Sequence, residues 1–169
     1  MGVVNYPNWL TLARKSITSN DHLGVAIFIN IRLSSFCFSL CKDIINHKDI
    51  LLVFFFNNGN IFWLMNIYLD SSHSAIKYLK DTECNLRNLL IITGDFNICD
   101  SLWDLSYSHH SFISNDIFTI ADSFNLSLSY PTDQVSTRYL NNANNSNSVI
   151  DLIFLLCNSL KLNTYLIYS

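Results

Sequence analysis

Glycine and proline are scarce in this chain, four and two in 169 residues. With 50% hydrophobic residues and only 14% charged ones, the composition carries no sign of disorder and leaves one globular domain with a sizeable core as the expectation. Long hydrophobic runs are missing as well. The longest, residues 50–56, falls far short of the roughly 20 residues that cross a bilayer, and Asn57-Asn58-Gly59-Asn60 separates it from the next run. No membrane span is expected. The first residues have no basic stretch leading into an apolar one, and Tyr6 stands where a myristoylation motif wants Ser or Thr. The reading is an intracellular protein, cytoplasmic or nuclear, that is not secreted. Cys-x-x-Cys pairs are absent from the five cysteines, which argues against a zinc site or disulfide framework and for free thiols. A basic excess is absent too. The net charge of −3 argues against a purely electrostatic grip on nucleic acid, because phosphate affinity comes mostly from Lys and Arg. A metal ion can supply part of that charge, so a nuclease stays open.

What is present is a series of short apolar runs with turn signals between them. Residues 24–30, Gly-Val-Ala-Ile-Phe-Ile-Asn, read as a buried strand. Residues 50–56 and 61–68 read as an antiparallel pair, because Asn58-Gly59 between them tolerates the positive φ of a tight hairpin. From Ser74, a plausible N-cap, the spacing of Ala75, Tyr78 and Leu79 predicts a helix to about Glu83. Residues 89–93 form another strand. After a polar loop to Asn115, the recurrence of Ile117, Ile120, Ala121 and Phe124 predicts a second helix. An Asn/Ser-rich loop over residues 141–147 precedes a last strand over residues 149–156. Strands and helices mixed in one core make a layered α/β sandwich.

The informative feature is a strand that ends in Gly94-Asp95-Phe96-Asn97. A carboxylate and a carboxamide two residues apart on a strand point the same way across the pleat. In phosphodiester cleavage such an Asp can orient or deprotonate a water, and such an Asn can donate to oxygens whose charge grows in the transition state. Gly94 would let a substrate approach the backbone closely. Taken alone, Asp-x-Asn after a strand is more often a turn held by local hydrogen bonds. Asp151 is a second candidate, since an Asp inside the apolar run Val149-Ile150-Asp151-Leu152-Ile153-Phe154 is costly to bury unless bonded or functional.

Further blocks share the order of a known family. Asn66-Ile67-Tyr68 at a strand end precedes Gly94-Asp95-Phe96-Asn97, then Asp100-Ser101-Leu102-Trp103-Asp104, then Pro131-Thr132 with Ser136-Thr137, then Ser148-Val149-Ile150-Asp151. This ordered set resembles the endonuclease/exonuclease/phosphatase superfamily in its retrotransposon branch, the LINE-like endonucleases associated with reverse transcriptase. The resemblance implies a four-layer α/β/β/α sandwich, incomplete here, and a divalent metal, usually Mg2+. It implies nicking of DNA, with a reverse transcriptase domain normally on the same polypeptide. Asp95, Asn97 and Asp151 would be the catalytic residues, and Asn66, Tyr68 and Ser148 would meet the substrate. Trp103 reads as a packing residue rather than a stacking platform for bases.

Two family blocks have no counterpart. No glutamate occurs in residues 1–23, where the resemblance would put a metal ligand, and neither Asp nor His occurs after Phe154, where it would put a catalytic pair. The chain is thus expected to be truncated at both ends, with impaired catalysis, no assigned metal ligand and exposed sheet edges. The loop histidines His109 and His110 read as solvent-facing rather than as substitutes. Two alternatives stand beside the endonuclease: a noncatalytic relic of a retroelement reading frame, and a phosphoesterase of the same superfamily with a non-DNA substrate.

Overall fold

A computed structural model describes residues 8–13, 25–33, 37–129 and 149–156. In chain order the elements are β1 (Trp9–Ala13), β2 (Ala26–Asn30), a 3-10 turn (Ile31–Leu33), β3 (Cys37–Leu40), β4 (Ile50–Asn57) and β5 (Asn60–Tyr68). There follow α1 (Ser74–Asp81), β6 (Leu89–Asp95), α2 (Phe112–Ser123), β7 (Leu126–Leu128) and β8 (Asp151–Leu156). The hairpin forms as its turn residues require, with Asn57 opposite Asn60 and φ of 49° at Asn58 and 85° at Gly59. β5 then runs parallel to β6, a pairing that needs a crossover, and α1 supplies it. The six-stranded sheet has the order β3-β4-β5-β6-β8-β7, with every pair but β5–β6 antiparallel, and β1 and β2 make a separate two-stranded sheet.

Strand alternation sorts the central residues onto two faces. Ile50, Leu52, Met65, Ile67 and Ile92 pack with Ala75, Ile76 and Leu79 of α1 and Ile117, Ile120 and Ala121 of α2. Leu51 and Val53 face the other way, onto Val25, with Leu12 and Ile27 of the small sheet packed against them. The described residues therefore make three layers in the order helices, large sheet, small sheet. Among the described residues no α-helix covers the outer face of the small sheet, where a fourth layer is expected. Among the described residues, no helix is long and apolar enough to cross a membrane.

Both helix starts differ from the sequence reading. α1 is preceded by His73 at φ 55°, and the Ser74 N–H donates to the carboxylate of Asp70 at 3.2 Å, so Asp70 rather than Ser74 supplies the cap. α2 begins at Phe112, a residue 90% exposed and invisible to apolar periodicity. The strand read over residues 24–30 is β2, half-buried rather than buried, with Phe28 50% exposed.

Candidate active site

Register decides what the strands bring together. Tyr68 closes β5, Asp95 closes β6 and Asp151 opens β8; Tyr68 pairs with Asp95 across the parallel strands, and Asp95 with Asp151 across the antiparallel ones. Residues in register point to the same sheet face, so one ring and two carboxylates form a row at one end of the sheet. The Phe96 N–H donates to the Ile150 carbonyl at 2.8 Å. That bond makes Asp95 and Asp151 a non-hydrogen-bonded pair, the kind in which Cα atoms stand about 4.5 Å apart. Like charges directly opposite repel, and a cation bound there would relieve the repulsion. Tyr68 is half-buried on the cluster of Val25, Leu51 and Val53, Asp95 is half-buried, and Asp151 is exposed. Asp151 is thus not a buried acid inside an apolar run, because the first residue of a strand sits at the sheet's end, and it keeps its place in the row.

Asn97 reaches the row by a different route from the one the pleat suggested. The strand stops at Asp95, and Asn97 takes φ 50°, a left-handed conformation that Asn tolerates. Its N–H donates to Asp95 Oδ1 at 3.1 Å, closing an Asx turn. One amide hydrogen of Asn97 Nδ2 goes to the Leu69 carbonyl at 3.3 Å, and the Leu69 N–H goes to the Asp95 carbonyl at 2.8 Å. The exposed carboxamide is thus pinned beside the residue that follows Tyr68. The turn reading and the site reading hold together, since the turn is what aims the side chain.

Three other candidates fare differently. Asn66 lies on the Tyr68 face and donates through Nδ2 to the Ala26 carbonyl at 3.0 Å, so its amide ties the two sheets beneath the row. Ser148, like the Pro131-Thr132 and Ser136-Thr137 blocks, lies outside the described residues. At Gly94 it is not a substrate but the neighbouring strand that comes close: a Cβ there would stand 1.8 Å from the Ile67 carbonyl oxygen.

Asp49, which no motif marks, also belongs to this end of the sheet. Its carbonyl accepts the Tyr68 N–H at 2.9 Å, extending the β4–β5 ladder by one step and setting Asp49 opposite Tyr68. Its side chain is 5% exposed, its Oδ2 makes no hydrogen bond, and the Lys48 ammonium lies 3.7 Å from that oxygen. The only sequence signal was an acid directly before the apolar run of residues 50–56.

No family model matches the chain, and no curated protein does. Solved structures do. The endonuclease domain of TRAS1, a telomere-specific non-LTR retrotransposon, superposes with a TM-score of 0.70 at 14% identity, over 93% of this chain and 69% of that one. This chain has the endonuclease/exonuclease/phosphatase-type fold. A humanized D. rerio TDP2 matches at a TM-score of 0.47 and 15% identity, over 89% of this chain and 62% of that one, too distant to add to the argument.

Within the endonuclease/exonuclease/phosphatase-type fold, the loop after Asn97 is tied down by two buried acids. Asp100 accepts the Leu102 N–H at 2.8 Å, the Ser111 N–H at 2.7 Å and the Ser114 hydroxyl at 2.6 Å, and His110 Nδ1 lies 3.1 Å from it. Burial by itself would raise the pKa of Asp100, but the bonds from Ser111, Ser114, Leu102 and His110 outweigh it and hold the carboxyl below its usual range. His110, bonded first to Asp100 and then to Asn115 Oδ1, is shifted upward. It anchors this loop instead of merely facing solvent. Trp103 is 3% exposed, packed as expected, and its indole N–H is shared between the carbonyls of Ile98 and Val149.

A divalent ion would meet at Asp95 and Asp151 the hard oxygen donors that Mg2+ takes, commonly one or two carboxylates with waters completing its shell. Among the described residues no group of three or more His, Cys, Asp or Glu gathers to hold a metal. The pair fits such an ion as a partial ligand set.

Proposed function

We propose that this chain is a phosphodiester-cleaving domain acting on DNA, of the retrotransposon endonuclease kind. The observation that carries the reading is the cross-strand row of Tyr68, Asp95 and Asp151 with the Asn97 carboxamide pinned beside it. A substrate phosphate laid over this end of the sheet meets groups of complementary duty. Asp95 orients the attacking water and takes its proton. Asn97 donates its second amide hydrogen to a nonbridging oxygen, where charge grows as the bond breaks. The Tyr68 hydroxyl steadies the same phosphate, while Asn66 holds the two sheets together beneath the row. Asp151 opposes Asp95 and with it would hold Mg2+, which when bound supplies positive charge against the phosphoryl oxygens. A reverse transcriptase domain on the same polypeptide is the partner this reading implies.

The test compares substrates. Incubated in Mg2+, the chain converts supercoiled plasmid to relaxed circles faster than it releases phosphate from nucleotides or phosphoinositides, and EDTA stops the conversion. Preference for the small phosphoesters would favour the phosphoesterase alternative, and no turnover of any substrate would favour the relic.

A further inference from the structure

We infer that Trp103 and Asp104 form a clamp that sets the register of β8, and so positions Asp151 opposite Asp95. The inference rests on the reading of Asp151 as a site residue and concerns how this chain keeps it there. Twenty residues of chain separate Leu128 at the end of β7 from Val149, so no short turn fixes where β8 enters the sheet. Register there needs another source, because a slip of one residue would turn every β8 side chain to the opposite face and carry Asp151 away from Asp95.

The clamp closes on Val149, two residues before Asp151. The Val149 N–H donates to Asp104 Oδ2 at 2.9 Å, and the Val149 carbonyl accepts the Trp103 indole N–H at 3.2 Å. Two consecutive side chains thus hold the one residue by its donor and its acceptor. Both are buried, Trp103 at 3% and Asp104 at 6% exposure, where a lost bond is not replaced by water. The other Asp104 oxygen accepts the Ser106 N–H at 3.0 Å and the Ser106 hydroxyl at 2.5 Å, which fixes the carboxylate. Trp103 in turn reaches the Ile98 carbonyl at 3.3 Å, one residue past Asn97. The clamp therefore references β8 to the same turn that aims Asn97, and the Phe96 N–H to Ile150 carbonyl bond completes the link. This gives Asp100-Ser101-Leu102-Trp103-Asp104 a task beyond packing: Trp103 and Asp104 are positioning residues.

Amide hydrogen exchange on the whole chain tests it. In Asp104→Ala, and in the milder Trp103→Phe, which keeps a ring but loses the indole donor, the amides of residues 149–156 exchange about ten- to hundredfold faster, while those of α1 and the β4–β5 hairpin hold their rates. Asp104→Glu, which keeps the acceptor, recovers part of the protection. Uniform acceleration across the chain, or none at β8, overturns the clamp. Plasmid nicking then separates the two ideas: kcat falls in both variants with KM unchanged if the clamp positions Asp151. Selective exchange without that fall would leave a clamp that serves the fold alone and overturn its positioning role. Exchange is read without activity, so it stands or falls apart from the nuclease reading.

Discussion

Gly94→Ala lowers the stability of the chain by about 3 kcal/mol or more, a large fraction of the roughly 5–15 kcal/mol that keeps a domain folded. The added Cβ would stand 1.8 Å from the Ile67 carbonyl oxygen, 2.7 Å from its carbon and 2.9 Å from its nitrogen. All three are backbone atoms of β5, the partner of β6, and cannot swing aside as a side-chain tip would. Gly94 also has φ 154° and pairs with Leu152 on its other flank, so relief by moving β6 is blocked by β8. The β5–β6 ladder would have to open at the Ile67–Gly94 step, next to the one that carries Tyr68 and Asp95. Urea denaturation followed by circular dichroism measures this; a variant within 1 kcal/mol of the parent would mean that the two strands do not approach as described.

Phe96→Ala costs about 3–5 kcal/mol, the usual range for removing a fully buried aromatic ring. Phe96 is 0% exposed, and its ring meets that of Phe154 edge-on at 6.1 Å, which in turn meets Phe118 of α2 at 5.6 Å. That column of rings seats the turn after β6 on the helical layer, with Asp95 and Asn97 projecting on either side of the anchor. The denaturation midpoint falls while the slope holds if only the cavity matters. A loss under 1 kcal/mol would contradict the packing. In the four-residue signature, then, Gly94 and Phe96 secure the backbone, and the proposed chemistry falls to Asp95 and Asn97.

How much of this the sequence disclosed follows from where its signals are local. The Asn58-Gly59 turn, the apolar runs of β4, β5 and β6, and the Gly94-Asp95-Phe96-Asn97 block each announce themselves over a few neighbouring residues. The short strands β1, β3 and β7 do not. Leu126-Ser127-Leu128 is too brief to show a period, and Trp9–Ala13 is recognisable as a strand only through its pairing with β2. The site divides in the same way. Asp95, Asn97 and Tyr68 stand out by motif and Asp151 by its place in an apolar run as well, yet their gathering into a row depends on β5–β6 and β6–β8 register, a long-range property. Asn97 was named for the wrong geometric reason, since its φ of 50° takes it off the pleat and an Asx turn aims it instead. The pairing of Asp49 with Tyr68 and the grip of Asp104 on Val149 are not legible locally, because each depends on a residue far away in the chain.

The most direct test of the row as a site pairs activity with stability in Asp95→Asn. Asparagine keeps an oxygen to accept the Asn97 N–H, and it removes one of two like charges that face each other across β6 and β8. Nicking of supercoiled plasmid in Mg2+ should fall by at least about a hundredfold, while the melting temperature holds or rises slightly. A variant that nicks at the parental rate would contradict the assignment of Asp95 and, with it, the proposal that this row cleaves phosphodiesters.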